Sequence, residues 1–65
     1  MNEEARCVML AREHDATSRS LQAEAQLART EFLRDQIELA SRVLQQLANA
    51  YAITAKEVRN EGTNG

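Results

Sequence analysis

The sequence predicts an all-α protein, and three observations carry this prediction. The chain has no proline, and both of its glycines, Gly62 and Gly65, lie at the C-terminal end, so the rest contains no strong helix breaker. Alanine, leucine, arginine, glutamate and glutamine dominate, and these residues lose little conformational freedom in a helix. Aromatic residues, which favour strands, are limited to Phe32 and Tyr51. We therefore expect helices and no sheet.

The small size of the chain argues that these helices need a partner. A chain of 65 residues rarely buries enough apolar surface to offset its loss of conformational entropy. Its one cysteine, Cys7, has no second cysteine for an internal disulfide, and its one histidine, His14, leaves no Cys/His set for a structural zinc site. We therefore expect a homo-oligomer, most simply a homodimer, whose helices form a helical bundle or coiled coil.

The N-terminal half contains one candidate break in the helical pattern. Residues 15–20 read Asp-Ala-Thr-Ser-Arg-Ser, and such side chains compete for backbone hydrogen bonds and favour helix caps. A break there predicts a short helix over 3–14 and a long amphipathic helix over 18–59, arranged as a helical hairpin. The alternative is a near-continuous helix in which Asp15 pairs with Arg19 one turn away.

The domain organisation follows from the same pattern. Residues 1–59 are predicted to form a single helical unit. Residues 60–65 contain no apolar side chain that could anchor them, so we expect a flexible C-terminal tail.

The second half carries an apolar stripe with heptad spacing. Its members are separated alternately by four and three residues, the pattern of a coiled-coil seam, with Thr54 as one polar member. Residues 43–55 contain no charge. Flanking residues widen the stripe to the width that a three- or four-helix bundle requires, and they are Val43 and Ala50 on one side and Ala48 and Ala55 on the other. The predicted oligomer interface therefore consists of Leu33, Ile37, Ala40, Leu44, Leu47, Tyr51 and Val58.

A second apolar cluster lies near the N-terminus. The segment from Cys7 to Leu10 is apolar on every side of its helix, which a surface helix of a monomer would not be. Met9 is unbranched and adaptable, and Arg12 can bind a carboxylate with two parallel hydrogen bonds. The candidate partner-binding residues are therefore Val8, Met9, Leu10 and Arg12. The alternative is that this segment folds back onto the long helix as part of the core.

The composition argues against several classes of protein. The formal net charge is −2, with acidic and basic residues spread along the chain, so no basic stripe is available for a nucleic acid. The longest uncharged window, 43–55, is too short to cross a membrane, and the N-terminus lacks the pattern of a secretory signal, so we expect a cytoplasmic protein. No cofactor or metal is expected, because Glu13, His14 and Asp15 are adjacent and point in different directions on a helix. No phosphate-binding loop or nucleophile elbow is present, so an enzyme is not expected.

Three functional hypotheses remain. The first is a non-enzymatic module for protein–protein interaction and oligomerisation that presents a further surface to a protein partner. The alternative is a small inhibitor of the phage or plasmid type, or a secretion-type chaperone, that binds and blocks a host or effector protein with its N-terminal helix. The third, ranked below both, is an RNA-binding helical hairpin, which requires Arg6, Arg12, Arg19 and Arg29 to align on one side.

Overall fold

Two helices form an antiparallel hairpin. The computed structural model describes residues 2–64, in which α1 spans Glu3–Gln26 and α2 spans Glu31–Asn64. The hairpin measures 53 × 16 × 11 Å, and its radius of gyration is 15.2 Å, whereas a compact chain of this length has about 11 Å. The prediction of an all-α helical hairpin is confirmed, and the molecule is a rod with only two helices to build a core.

The first helix begins at a well-defined cap. The side-chain oxygen of Asn2 accepts a hydrogen bond of 2.7 Å from the backbone N–H of Ala5, which satisfies one of the free donors at a helix start. Glu3 and Glu4 occupy the first turn, where negative charge interacts favourably with the helix dipole. Both interactions stabilise the first turn of α1 locally.

Small side chains occupy the seam between the two helices. In each helix the buried seam residues are seven positions apart. They are Ser18 and Ala25 in α1, and Ser41, Ala48 and Ala55 in α2. Cys7, at the N-terminal end of α1, is also buried. Because none of these side chains is larger than cysteine, the two helix backbones can approach each other closely.

A pair of serines at the seam joins the helices directly. The hydroxyl of Ser18 donates to the carbonyl oxygen of Ser41 at 2.9 Å, and the hydroxyl of Ser41 donates to the carbonyl oxygen of Ser18 at 3.0 Å. The two Oγ atoms lie 2.8 Å apart. Both side chains are almost fully buried, and no buried polar side-chain atom in the described part of the chain lacks a partner. The serines therefore enter the core without leaving a hydrogen-bonding group unsatisfied.

The predicted break at residues 15–20 is wrong, because α1 runs through this segment. Each polar residue that suggested a cap has a partner compatible with the helix. Asp15 forms an ion pair of 3.2 Å with Arg19, the hydroxyl of Thr17 donates to the carbonyl oxygen of Glu13, and Ser18 bonds to α2. These interactions remove the competition with the backbone on which the prediction depended.

The chain instead reverses at residues 27–30, within the predicted long helix. The N–H of Leu27 donates to the carbonyl oxygen of Glu24 at 2.9 Å and closes the last turn of α1. Thr30 then caps α2, because its hydroxyl oxygen accepts a hydrogen bond of 3.1 Å from the N–H of Leu33. No described residue has a positive φ angle, so this turn requires no glycine. The sequence pattern that indicates this helix start is Thr30, a capping residue, followed by Glu31, an acidic residue in the first turn of α2.

The C-terminal end also differs from the prediction. The second helix continues to Asn64, so residues 60–64 of the predicted tail are helical, and Gly65 lies outside the described residues. Glycine within a helix costs about 1 kcal/mol relative to alanine. The single glycine at position 62 is therefore not enough to end α2.

Enlarging the serine contact should separate the helices. We expect Ser18→Leu to lower the free energy of unfolding by about 2 to 4 kcal/mol, because it overfills the seam and removes a buried hydrogen bond. Ser18→Ala should cost about 1 kcal/mol. Urea denaturation followed by circular dichroism, at one fixed protein concentration, measures both values. The matched control is Ser20→Leu at an exposed position of the same helix, and an equal loss in this variant would contradict the assigned seam.

Glycine substitution tests the continuity of α1. Ala16 lies within the predicted break, and Ala23 lies in the undisputed part of the helix, and both are exposed. If α1 is continuous, Ala16→Gly and Ala23→Gly should each lower the free energy of unfolding by about 1 kcal/mol. A neutral Ala16→Gly beside a destabilising Ala23→Gly would restore the break to residues 15–20.

A candidate protein-interaction face

The residues predicted as an oligomer interface lie together on one side of α2. We call this surface, together with Leu10, His14 and Leu21 of α1 beside it, the hairpin face. Ile37, Leu44, Tyr51 and Val58 are half-buried against α1, whereas Leu33 and Leu47 remain 47% and 39% exposed. Ala40 is exposed as well. The fully buried contact with α1 is made through the adjacent column of Ser41, Ala48 and Ala55, so part of the predicted stripe is still available to another molecule.

The first helix adds a second row to the hairpin face. Leu10, His14 and Leu21 follow helical spacing on the same side of α1, and each is half-buried. The ring of His14 stacks on the ring of Tyr51, with centroids 5.7 Å apart and an interplanar angle of 22°. This stack joins the rows of the two helices into one continuous surface and fixes the orientation of both rings.

A further apolar column on α2 was identified from the sequence only in part, by Val43 and Ala50 on one flank of the predicted stripe. We call it the outer stripe, because it points away from α1. It contains four large side chains, which are between 53% and 75% exposed, and the exposed Ala50. The four are Phe32, Leu39, Val43 and Ile53. The sequence pattern that could have identified the rest is a seven-residue spacing over positions 32, 39, 46 and 53, which is apolar except at Gln46. The outer stripe adjoins the hairpin face, so apolar surface covers more than half of the circumference of α2.

The opposite side of the hairpin is polar. A shallow groove between the helices is lined there by Gln22, Gln26, Glu38 and Arg42 near the turn. Further from the turn, Asp15, Gln45 and Asn49 occupy the equivalent positions. Charged and amide side chains that remain in contact with water are typical of a solvated surface. The hairpin therefore has one apolar and one polar side.

The structure divides the predicted N-terminal patch. Val8 and Arg12 line a groove of about 320 Å³ on the polar side, together with Ala52, Lys56 and Arg59. Leu10 belongs to the hairpin face, and Met9, which is 38% exposed, points away from α2. Cys7 in the same segment is buried against α2. Three of the four candidate partner-binding residues, Val8, Met9 and Arg12, nevertheless line one further groove along α1, and only Leu10 lies apart from them.

The four arginines of the RNA hypothesis are not brought together either. Arg12 and Arg19 are seven residues apart and share a side of α1, while Arg6 lies on the other side and Arg29 lies in the turn.

Two further features bear on function. Within residues 2–64, no group of three or more His, Cys, Asp or Glu side chains is placed to bind a metal ion. Over the same residues, neither helix has an apolar stretch long enough to cross a membrane.

Comparison of the chain with protein-family models, with curated proteins and with solved structures finds no match.

Proposed function

We propose that this chain is a non-enzymatic module for protein–protein interaction, which assembles with a second copy of itself through the hairpin face. The observation that carries this proposal is the composition of the α2 part of the face. From Leu33 to Val58 the stripe contains no charged side chain, yet Leu33 and Leu47 remain exposed in the single hairpin. A contiguous apolar surface of this kind marks an interaction site, because exposing it to water is unfavourable.

The accessible surface of the chain supports a partner of protein size. The hairpin exposes 5092 Å², whereas a compact monomer of 7.3 kDa exposes about 4,200 Å². The excess of about 900 Å² is close to the roughly 800 Å² that each partner loses in a standard protein–protein interface. One further copy packed on the hairpin face would therefore bring the exposed surface per chain to an ordinary value.

The proposal extends to the compartment. Cys7 is a free thiol, and single free cysteines are typical of proteins in a reducing environment. We therefore place the module in the cytoplasm.

Replacing Leu47 tests the assembly. We expect the wild-type chain to sediment as a homodimer at tens of micromolar and its melting temperature to rise with concentration. Leu47→Gln should weaken the dimer by at least about 3 kcal/mol, a hundredfold in Kd, because two copies of the side chain lose their burial. Sedimentation equilibrium measures this change.

The matched control for this experiment is Leu39→Gln. Leu39 is an exposed leucine of the same helix, 53% accessible, and it lies on the outer stripe rather than on the hairpin face. Its replacement should change Kd less than tenfold. A monomeric wild-type chain, or a dimer that Leu39→Gln dissociates and Leu47→Gln does not, would refute the proposal.

A second candidate function is the binding of a foreign protein through the groove of Val8 and Arg12. The groove is lined by apolar Val8, Ala11, Ala52 and Ala55. Its charged side chains are three cations, Arg12, Lys56 and Arg59, and one anion, Glu4. This combination favours an acidic amphipathic helix, which is the chemistry that the inhibitor and chaperone hypothesis requires.

A labelled model peptide with acidic and apolar residues at helical spacing tests this candidate. We expect its fluorescence anisotropy to report binding that weakens at least about tenfold in Lys56→Glu, because a cation at the groove is replaced by an anion. The control is Arg29→Glu, which makes the same change of charge at an exposed position in the turn, outside the groove. Equal effects of both substitutions would indicate non-specific attraction by net charge and exclude the groove.

A further inference from the structure

We infer that the α2 helices of two copies pack against each other in antiparallel orientation, around a two-fold axis that passes between Leu44 and Leu47. This inference rests on the proposed self-association, which supplies the second copy. It goes further by naming the helix at the centre of the interface, the register of the two copies and the residues that specify that register.

The apolar surface of the hairpin is centred on α2. Beyond the seam, α2 continues through Leu44 and Leu47 to the exposed Val43 without meeting a charge. On α1 the corresponding direction leads past Thr17 to the exposed charges of Arg6 and Glu24. A second copy placed over α2 therefore covers more apolar surface than one placed over the middle of the hairpin. The wide apolar arc of α2 is the reason to put α2 at the centre.

Only one antiparallel register pairs the whole stripe with itself. In that register Leu44 of one copy lies opposite Leu47 of the other. The remaining layers, each present twice by symmetry, pair Ala40 with Tyr51, Ile37 with Thr54, and Leu33 with Val58. A shift by one heptad in either direction leaves two positions of each stripe without a partner. Since exposed apolar area is the driving force, the complete register is the most stable one.

The sizes of the side chains fit these layers. Tyr51, the largest member of the stripe, lies opposite Ala40, the smallest, so that a large side chain meets a space rather than another large side chain. The stack of His14 on Tyr51 already holds the tyrosine ring in place in the single hairpin. A preorganised ring pays less entropy when a second copy packs on it.

The one polar member of the stripe is also suited to burial. The hydroxyl of Thr54 donates to the carbonyl oxygen of Ala50 at 2.9 Å within α2. Its donor is therefore satisfied before assembly, and its methyl group can pack on Ile37 of the other copy without burying an unpaired hydrogen-bonding group.

Spin labels distinguish this register from the other two-fold arrangement, in which α2 of one copy lies on α1 of the other. Labels are attached to Gln46→Cys or to Asn60→Cys, each in a Cys7→Ala background, because both positions are exposed and lie outside the paired layers. With the axis between Leu44 and Leu47, the two labels of a dimer are offset along the helices by about 1.5 Å at position 46 and by about 44 Å at position 60.

Double electron–electron resonance should therefore give a distance at least about 20 Å longer for position 60 than for position 46. In the other arrangement the two copies run parallel to the symmetry axis, and both positions give similar distances. Similar distances in a protein that sedimentation shows to be dimeric would overturn the register and leave self-association intact. A monomer at tens of micromolar would overturn both.

Changing the size of the layer at Ala40 provides a second measurement. Ala40→Tyr should weaken the dimer at least about tenfold, because it sets tyrosine against tyrosine in both symmetric layers. Adding Tyr51→Ala to the same chain restores one large and one small side chain to each layer and should recover part of the loss. The control, Ala23→Tyr at an exposed position of α1, should leave the dimer unchanged. An Ala40→Tyr chain that dimerises as well as this control would overturn the pairing of Ala40 with Tyr51.

Discussion

The close approach of the two helices at Ser18 and Ser41 determines the rest of the structure. Each hydroxyl reaches the backbone carbonyl oxygen of the other helix at 3.0 Å or less, which only small seam residues allow. Because the seam is this narrow, leucine, isoleucine and tyrosine side chains do not fit between the backbones and must lie at its edges or beyond them. The apolar side of the molecule is thus a direct consequence of the small residues in its seam.

A hairpin built in this way couples stability to association. Two helices without a third layer cannot cover both sides of the seam, and the side chains at its edge, such as Leu44 and Tyr51, are only half-buried. Under the proposed function, a second copy completes their burial, so that part of the folding free energy is supplied by the interface. The polar side, with its amide and charged side chains, has no such requirement and remains in contact with water.

The candidate site was predictable in one part and not in another. The heptad spacing from Leu33 to Val58 identified the residues of one apolar side of α2, because spacing alone determines which residues share a side of a helix. The N-terminal patch could not be assigned in the same way, because four consecutive apolar residues fit every direction around a helix. Contact with α2 decided that Cys7 is buried and that Val8 and Leu10 lie on opposite sides.

The sequence by itself determined that the protein is helical, that α2 is amphipathic, and that its stripe extends to Val58, since these properties follow from composition and periodicity. The tertiary structure decided where the chain reverses. Residues 15–20 and residues 27–30 both contain side chains that can end a helix, and neither contains glycine or proline. The packing of the two helices distinguishes them, because a reversal at 27–30 brings Ser18 and Ser41 together in the seam and one at 15–20 does not.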